Sequence, residues 1–187
     1  MWNNQMNTYS FPKHVRLKDG TELSIRPLRK EDEKVLHNYF LRLPPKEVAR
    51  LKHDVTDPDL ISKWIYDLDY DVVFPLVAMD NDRIVANGTL KFNMIGWRKH
   101  QGEIRATVDP EYREKGLSTV LIKNMIEIAK SMGIKQLTAE LAPTLDEAFF
   151  LFEKIGFKEA AVLKDFIKDQ EGTYEDLVIM IMDLNES

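Results

Sequence analysis

The part of this chain best suited to chemistry with its own main chain is Val108-Asp109-Pro110-Glu111-Tyr112-Arg113-Glu114-Lys115-Gly116-Leu117-Ser118. An alternating apolar segment precedes it and a segment of helical spacing follows, so it reads as the passage from a strand end into a helix start. The first turn of a helix leaves about four N–H groups without intrahelical partners and carries partial positive charge, which suits an anion such as a phosphate. Gly116 and the small Ser118 allow close approach to the backbone. Arg113 and Lys115 add charge-assisted contacts of about 1.5–3 kcal/mol each where they reach the anion. The plainer reading of the same residues is a glycine-containing loop that caps a helix and binds nothing.

Other reactive groupings are sparse. There are no cysteines, which removes disulfides, thiolate metal sites and cysteine nucleophiles. His14, His37, His53 and His100 lack ligand spacing, so surface or helix-face roles are expected and no metal is. Asp67, Asp69 and Asp71 are spaced like the start of a calcium loop, but Val72 and Ala78 stand where that loop needs Gly and Glu, and a solvated helix end is expected. Trp2, Trp64 and Trp97 are candidates to line a substrate surface, although scattered aromatic residues more often fill core edges, and their roles stay open.

The elements that position the loop follow from periodicity. Residues 14–18 and 22–26 alternate around the tight-turn pair Asp19-Gly20, predicting a hairpin. Val35, Leu36, Tyr39, Phe40 and Leu43 predict a helix over 30–43 stopped by Pro44-Pro45, and short helices are expected at 46–51 and 57–68. A second hairpin over 72–77 and 84–92 turns at Asp80-Asn81-Asp82, and a strand over 103–108 runs into Asp109-Pro110. From Gly116 to Gly133 one helical face carries Leu117, Val120, Leu121, Met125, Ile128 and Met132, with Lys123, Asn124, Glu127 and Lys130 turned away. A strand at 135–141, a helix at 145–155, a strand at 159–166 and a strand at 174–183 complete the chain. The apolar run 177–182 predicts a strand buried on both faces. The order ββααα, βββ, α, β, α, ββ predicts a mixed, mostly antiparallel sheet with helices on its faces, in the α/β class broadly taken and α+β in layer terms.

With 187 residues, 44% hydrophobic and 30% charged, one domain over 13–187 is expected, with 1–12 as a loose tail. The net charge of −5 offers no general pull on nucleic acid or anionic lipid, and neither is expected as a partner. The longest apolar run is too short to span a membrane and no signal-peptide core begins the chain, so a cytoplasmic location is expected. Oligomeric state stays open.

Arg113, Gly116 and the preceding Val108 and Pro110 resemble the pyrophosphate loop of the GNAT superfamily of acyl-CoA-dependent N-acyltransferases, with Ser118 a small-residue departure. The segment from Phe150 to Phe157 also resembles that family's C-terminal helix with its closing Gly-Phe, and the likeness covers about residues 13 to 184. Within the superfamily the chain is most similar to the catalytic domain of bacterial protein lysine acetyltransferases. The likeness rests on the Asp19-Gly20 turn, Ile25-Arg26-Pro27, Glu103 in the strand before the loop and Glu140 in the next strand. Phe152 stands where many members carry a Tyr that protonates the leaving thiolate, and Leu145 where an Asn often holds the pantetheine arm.

The resemblance implies acetyl-CoA as co-substrate, held by Thr107, Val108, Arg113, Glu114, Lys115, Gly116, Leu117 and Ser118. An N–H near Val108 is expected to polarise the thioester. A lysine-like amine has a pKa of about 10.4, so freeing its lone pair at pH 7 costs about 4.6 kcal/mol, and a general base has work to do. Glu103 is the leading candidate, with Glu140 sharing the role or orienting the amine; the plain alternative for each is a solvated strand carboxylate. The expected function is acetyl transfer to a primary amine by direct attack. The acceptor is expected to be a protein lysine, with a small amine or amino acid as the alternative, and a non-catalytic CoA-binding module is the rival class.

Overall fold

The computed structural model describes residues 10–93, 95–143, 146–168 and 172–185. Trp2, Leu145 and most of the expected N-terminal tail lie outside them. Eight strands form a sheet of order β1-β2-β3-β4-β5-β6-β8-β7: β1 Lys13–Arg16, β2 Glu22–Pro27, β3 Val73–Asp80, β4 Arg83–Phe92, β5 Gln101–Val108, β6 Gln136–Leu141, β7 Lys158–Lys168 and β8 Tyr174–Asp183. Five helices accompany them among the described residues: α1 Glu33–Leu41, α2 Pro45–Val48, α3 Pro58–Tyr66, α4 Leu117–Ser131 and α5 Asp146–Ile155. Among the described residues the predicted order of strands and α-helices is the observed one.

By internal contacts the chain divides into two units, one running through Thr89 and taking in Ala106–Ile122, the other made of Leu90–Arg105 and the chain from Lys123 on. In the first unit the amphipathic faces of α1 and α3 place Leu36, Tyr39, Phe40, Ile61 and Ile65 in a core with Val77, Met79 and Ile84 from β3 and β4. Arg26 and Asp32 lock β2 to the start of the helical layer through two hydrogen bonds of 2.6 and 2.8 Å, and the Arg29 N–H adds a third to the same carboxylate. The Arg-Pro step with an acidic helix start is therefore a structural joint. The first hairpin differs from the expected two-residue turn: Leu17 still pairs with Thr21, so Lys18-Asp19-Gly20 form a three-residue loop closed by Gly20 N–H on the Leu17 carbonyl.

In the second unit β5 and β6 pair in parallel, with Gln101 opposite Gln136, Gly102 opposite Leu137 and Glu103 opposite Thr138. The ladder ends there, although β5 continues to Val108 and β6 to Leu141. A Cβ on Gly102 would lie 3.0 Å from a Leu137 methyl and 3.1 Å from a Leu90 methyl, so a larger residue here would push both leucine side chains aside. Two burial expectations are corrected. Asn124, placed on the outer face of α4, is buried, because the exposed residues of this helix are confined to the narrow stripe Lys123, Glu127 and Lys130 and the terminal Ser131, and Ile122, Ile126 and Ala129 are buried as well. In β8, Leu177, Val178 and Met180 are buried while Ile179, Ile181 and Met182 are only half-buried, so the apolar run does not face core on both sides.

Candidate functional site

β5 leaves the sheet at Asp109, whose N–H makes a 2.9 Å bond to the Val85 carbonyl. Pro110 begins a single tight turn over Pro110–Tyr112, and Asp109 caps it by accepting the Glu111 N–H on Oδ1 at 3.2 Å. The other oxygen, Oδ2, accepts from Arg42 Nε at 3.1 Å and Arg83 Nη2 at 2.9 Å. Burial pushes this carboxyl's pKa up, but the bonds from Arg42, Glu111 N–H and Arg83 outweigh it and hold the group below its ordinary value. Arg42 also reaches the Ile84 carbonyl at 2.6 Å, and Arg83 reaches Glu111. The tight turn is thus bolted to α1 and β4 from below.

The rest of the loop is pinned at its sides. Tyr112 donates to Asp80 at 2.5 Å, and its phenol is pushed up to about 12 by burial and by that carboxylate. Arg113 donates through Nε and Nη2 to the Val108 carbonyl at 3.1 and 3.0 Å, and through Nη1 and Nη2 to both Glu47 oxygens at 2.8 and 2.7 Å. Lys115 pairs with Asp19 at 2.9 Å and holds that carboxyl down to about 2, while its carbonyl accepts the Lys18 N–H. Both cations expected to meet an anion are therefore engaged by carboxylates of the chain.

What the loop leaves available is main chain. Glu114 and Gly116 have φ of 59° and 90°, with Lys115 between them outside the left-handed region, an alternation that turns successive N–H groups to one side. Among the described residues, the N–H groups of 114 to 119 meet no acceptor before the α4 ladder begins with Val120 N–H on the Gly116 carbonyl. Leu117 is buried and anchors this end of the helix, whereas Ser118 is half-buried. Six neighbouring donors with no protein carboxylate on them suit a diphosphate, so the residues present fit the phosphates of CoA.

Thr107 accepts a 2.8 Å hydrogen bond from the fully buried Tyr39 hydroxyl, and burial pushes that phenol far above its ordinary range, leaving it a neutral donor. Glu103 lies on the same face of β5 as Arg105, which donates to its Oε1 from Nε at 2.8 Å and from Nη2 at 2.5 Å. Because Glu103 is paired with Thr138, Glu140 falls on that face too, one strand over and opposite Ile179 of β8. Phe152 is buried and meets Phe157 edge-on at 5.0 Å. Trp64 packs against Phe40 and His53, and Trp97 is exposed. Among the described residues no His, Asp or Glu cluster could hold a metal ion, and no helix is long and apolar enough to cross a membrane.

Asp109, Arg42, Arg83, Glu47 and Tyr39 shape this site; from the sequence Asp109 reads as a loop residue and Tyr39 as a helix-face residue, and Arg42, Arg83 and Glu47 carry no signal. An Asp before Pro at a strand end carries a capping signal; its partners, 26 and 67 residues away, carry none.

The acetyltransferase (GNAT) domain family matches residues 25–178. The [ribosomal protein bS18]-alanine N-acetyltransferase of Escherichia coli strain K12 is 30% identical over 78 residues, 42% of this chain and 52% of the relative. The chain thus spans about half the length of the curated bS18-alanine N-acetyltransferases it matches. The ribosomal-protein-S5-alanine acetyltransferase structure from Vibrio fischeri superposes with a TM-score of 0.77 at 17% identity, covering 93% of this chain and 98% of that one. The GNAT domain of S. lividans PAT superposes with a TM-score of 0.76 at 17% identity, covering 92% and 96%. Both likenesses are of fold.

Proposed function

Since the chain belongs to the acetyltransferase (GNAT) domain family, we propose that it is an acetyl-CoA-dependent N-acetyltransferase acting on a primary amine of a protein. The observation that carries this reading is the row of unpartnered N–H groups from 114 to 119 on a loop fixed by Asp109, Tyr112, Arg113 and Lys115. Acetyl-CoA supplies the acetyl group as a thioester. The chain's part is to hold the diphosphate on the 114–119 amides, with Arg113 and Lys115 stiffening the loop and Thr107 and Val108 bringing the end of β5 to the ligand. The stretch of β5 beyond Glu103, which β6 no longer pairs, presents main-chain groups on that edge to the pantetheine arm, and an N–H near Val108 meets the developing oxyanion. Glu103 takes the amine proton, directly or through water, with Glu140 on the same face orienting the amine.

For the acceptor, the Glu103 and Glu140 positions and the Ile25-Arg26-Pro27 start favour a protein lysine, as in the lysine acetyltransferases that the sequence resembles. A second reading has a specific observation behind it: the curated sequence relatives carry names of enzymes acting on the α-amine of alanine in a ribosomal protein. The two amines differ in what they ask of the base. At pH 7 an α-amine of pKa about 7.7–8.0 costs about 1–1.4 kcal/mol to deprotonate, against about 4.6 for lysine. Two peptides separate the readings, one with a blocked N-terminus and an internal lysine, the other starting with alanine and lacking lysine. Acetylation of the first, located by mass spectrometry, supports lysine; acetylation of the second alone moves the assignment to the α-amine. Thiol release with neither peptide nor any small amine, despite CoA binding, would refute catalysis and leave a binding module.

A further inference from the structure

The guanidinium of Arg113 is divided between two kinds of acceptor. One edge is held by the Val108 carbonyl, which receives Nε and Nη2 at 3.1 and 3.0 Å and so fixes the plane of the group. The outer edge is taken by Glu47, whose two oxygens accept Nη1 and Nη2 at 2.8 and 2.7 Å. A carboxylate in this fork presents the same spacing of anionic oxygens as a phosphate. Glu47 belongs to α2, a four-residue helix after Pro44 with no buried residue, whose partly buried Val48 packs against the core. Both side chains of the pair are about one-third exposed, at 34% and 32%, so water competes for it and the contact is exchangeable.

We propose that Glu47 is an internal competitor for the cofactor's phosphate: Arg113 exchanges Glu47 for phosphate oxygens when CoA binds, and the exchange frees α2 from the loop. The inference rests on the cofactor reading above and adds a residue and a consequence to it. The Val108 carbonyl keeps the guanidinium oriented throughout, so the exchange needs only the departure of α2 and no rotation of Arg113. Part of the intrinsic affinity for CoA is given up to the bound Glu47, and the segment that moves is the one immediately after α1, whose Tyr39 supports Thr107.

Calorimetric titration of CoA into the wild-type protein and into Glu47→Gln and Glu47→Ala variants tests this. With the competitor removed, folded variants should bind CoA about two- to fivefold more tightly, and in an Arg113→Gln background the gain should disappear. Amide hydrogen exchange over residues 45–51 of the wild type should accelerate on adding CoA. Repeating the titration with dephospho-CoA assigns the ligand: a gain that persists places Arg113 on the diphosphate, and one that vanishes places it on the 3′-phosphate. Equal or weaker binding by both folded Glu47 variants, or slower exchange over 45–51, overturns the proposal. A wild-type protein that binds no CoA overturns the cofactor reading itself, an outcome distinct from either.

Discussion

Asp109→Asn should weaken the protein far more than an ordinary change beside a loop. The carboxylate is 3% exposed and accepts two hydrogen bonds from arginines on one oxygen and a cap bond on the other. Asparagine keeps one acceptor for the Glu111 N–H but either loses the charge opposite Arg42 and Arg83 or turns its NH₂ against their donors. Hydrogen bonds to charged groups contribute about 1.5–3 kcal/mol each, and removing one partner of a buried pair costs about 3–5 kcal/mol. Arg42 and Arg83 are 31% and 40% exposed and recover hydration, which favours the lower end, about 3 kcal/mol. For a chain of this size that is about 6–12 °C in Tm, read by calorimetry or circular dichroism at pH 7. The difference should depend on pH in one direction. The folded carboxyl titrates below its ordinary 3.8, so its contribution is complete above that value and is lost as pH falls through the lower folded value. Wild type and variant should therefore converge in acid. A loss under about 1 kcal/mol at pH 7, or a gap that widens below pH 4, would refute the role given to this residue.

Glu103→Gln should lower kcat/KM by about 10²- to 10⁴-fold with CoA binding unchanged, and the deficit should shrink as pH approaches the amine's own pKa. Glu140→Gln measured in parallel decides between the two carboxylates: a larger loss there moves the base to β6, and near wild-type rates for both from pH 6 to 9 remove both. Phe152→Leu, which breaks the edge-on contact with Phe157, should cost about 1–2 kcal/mol of stability and change turnover per folded molecule only a few-fold. A thousandfold fall in kcat would mean that this position acts in the chemistry.

The order of elements was legible because period-2 and period-3.6 patterns and Gly or Pro punctuation agree along the whole chain. The failures have local causes. The polarity of Asn124 predicts an outward position, whereas α4 is buried around most of its circumference. An unbroken apolar run predicts two-sided core at Leu177–Met182, yet Ile179, Ile181 and Met182 are only half-buried. At the site, the loop and its glycine are visible from spacing, but what the cations do is not. Nothing near Arg113 in sequence announces Glu47, 66 residues away, and nothing near Lys115 announces Asp19. Paired across the fold, these cations fix the loop's shape, and the donors left open to an anion are backbone groups that every sequence possesses and only this conformation aims.

Calorimetric titration of acetyl-CoA tests that central claim most directly. The wild-type protein and Gly172→Glu, a change at a turn far along the chain from the loop, should bind at a single site with matching affinity. Gly116→Glu should abolish binding, because φ of 90° strains any side chain there and a carboxylate would stand against the diphosphate. Absence of binding by the wild type at millimolar acetyl-CoA, or undiminished binding by a folded Gly116→Glu variant, would contradict the account.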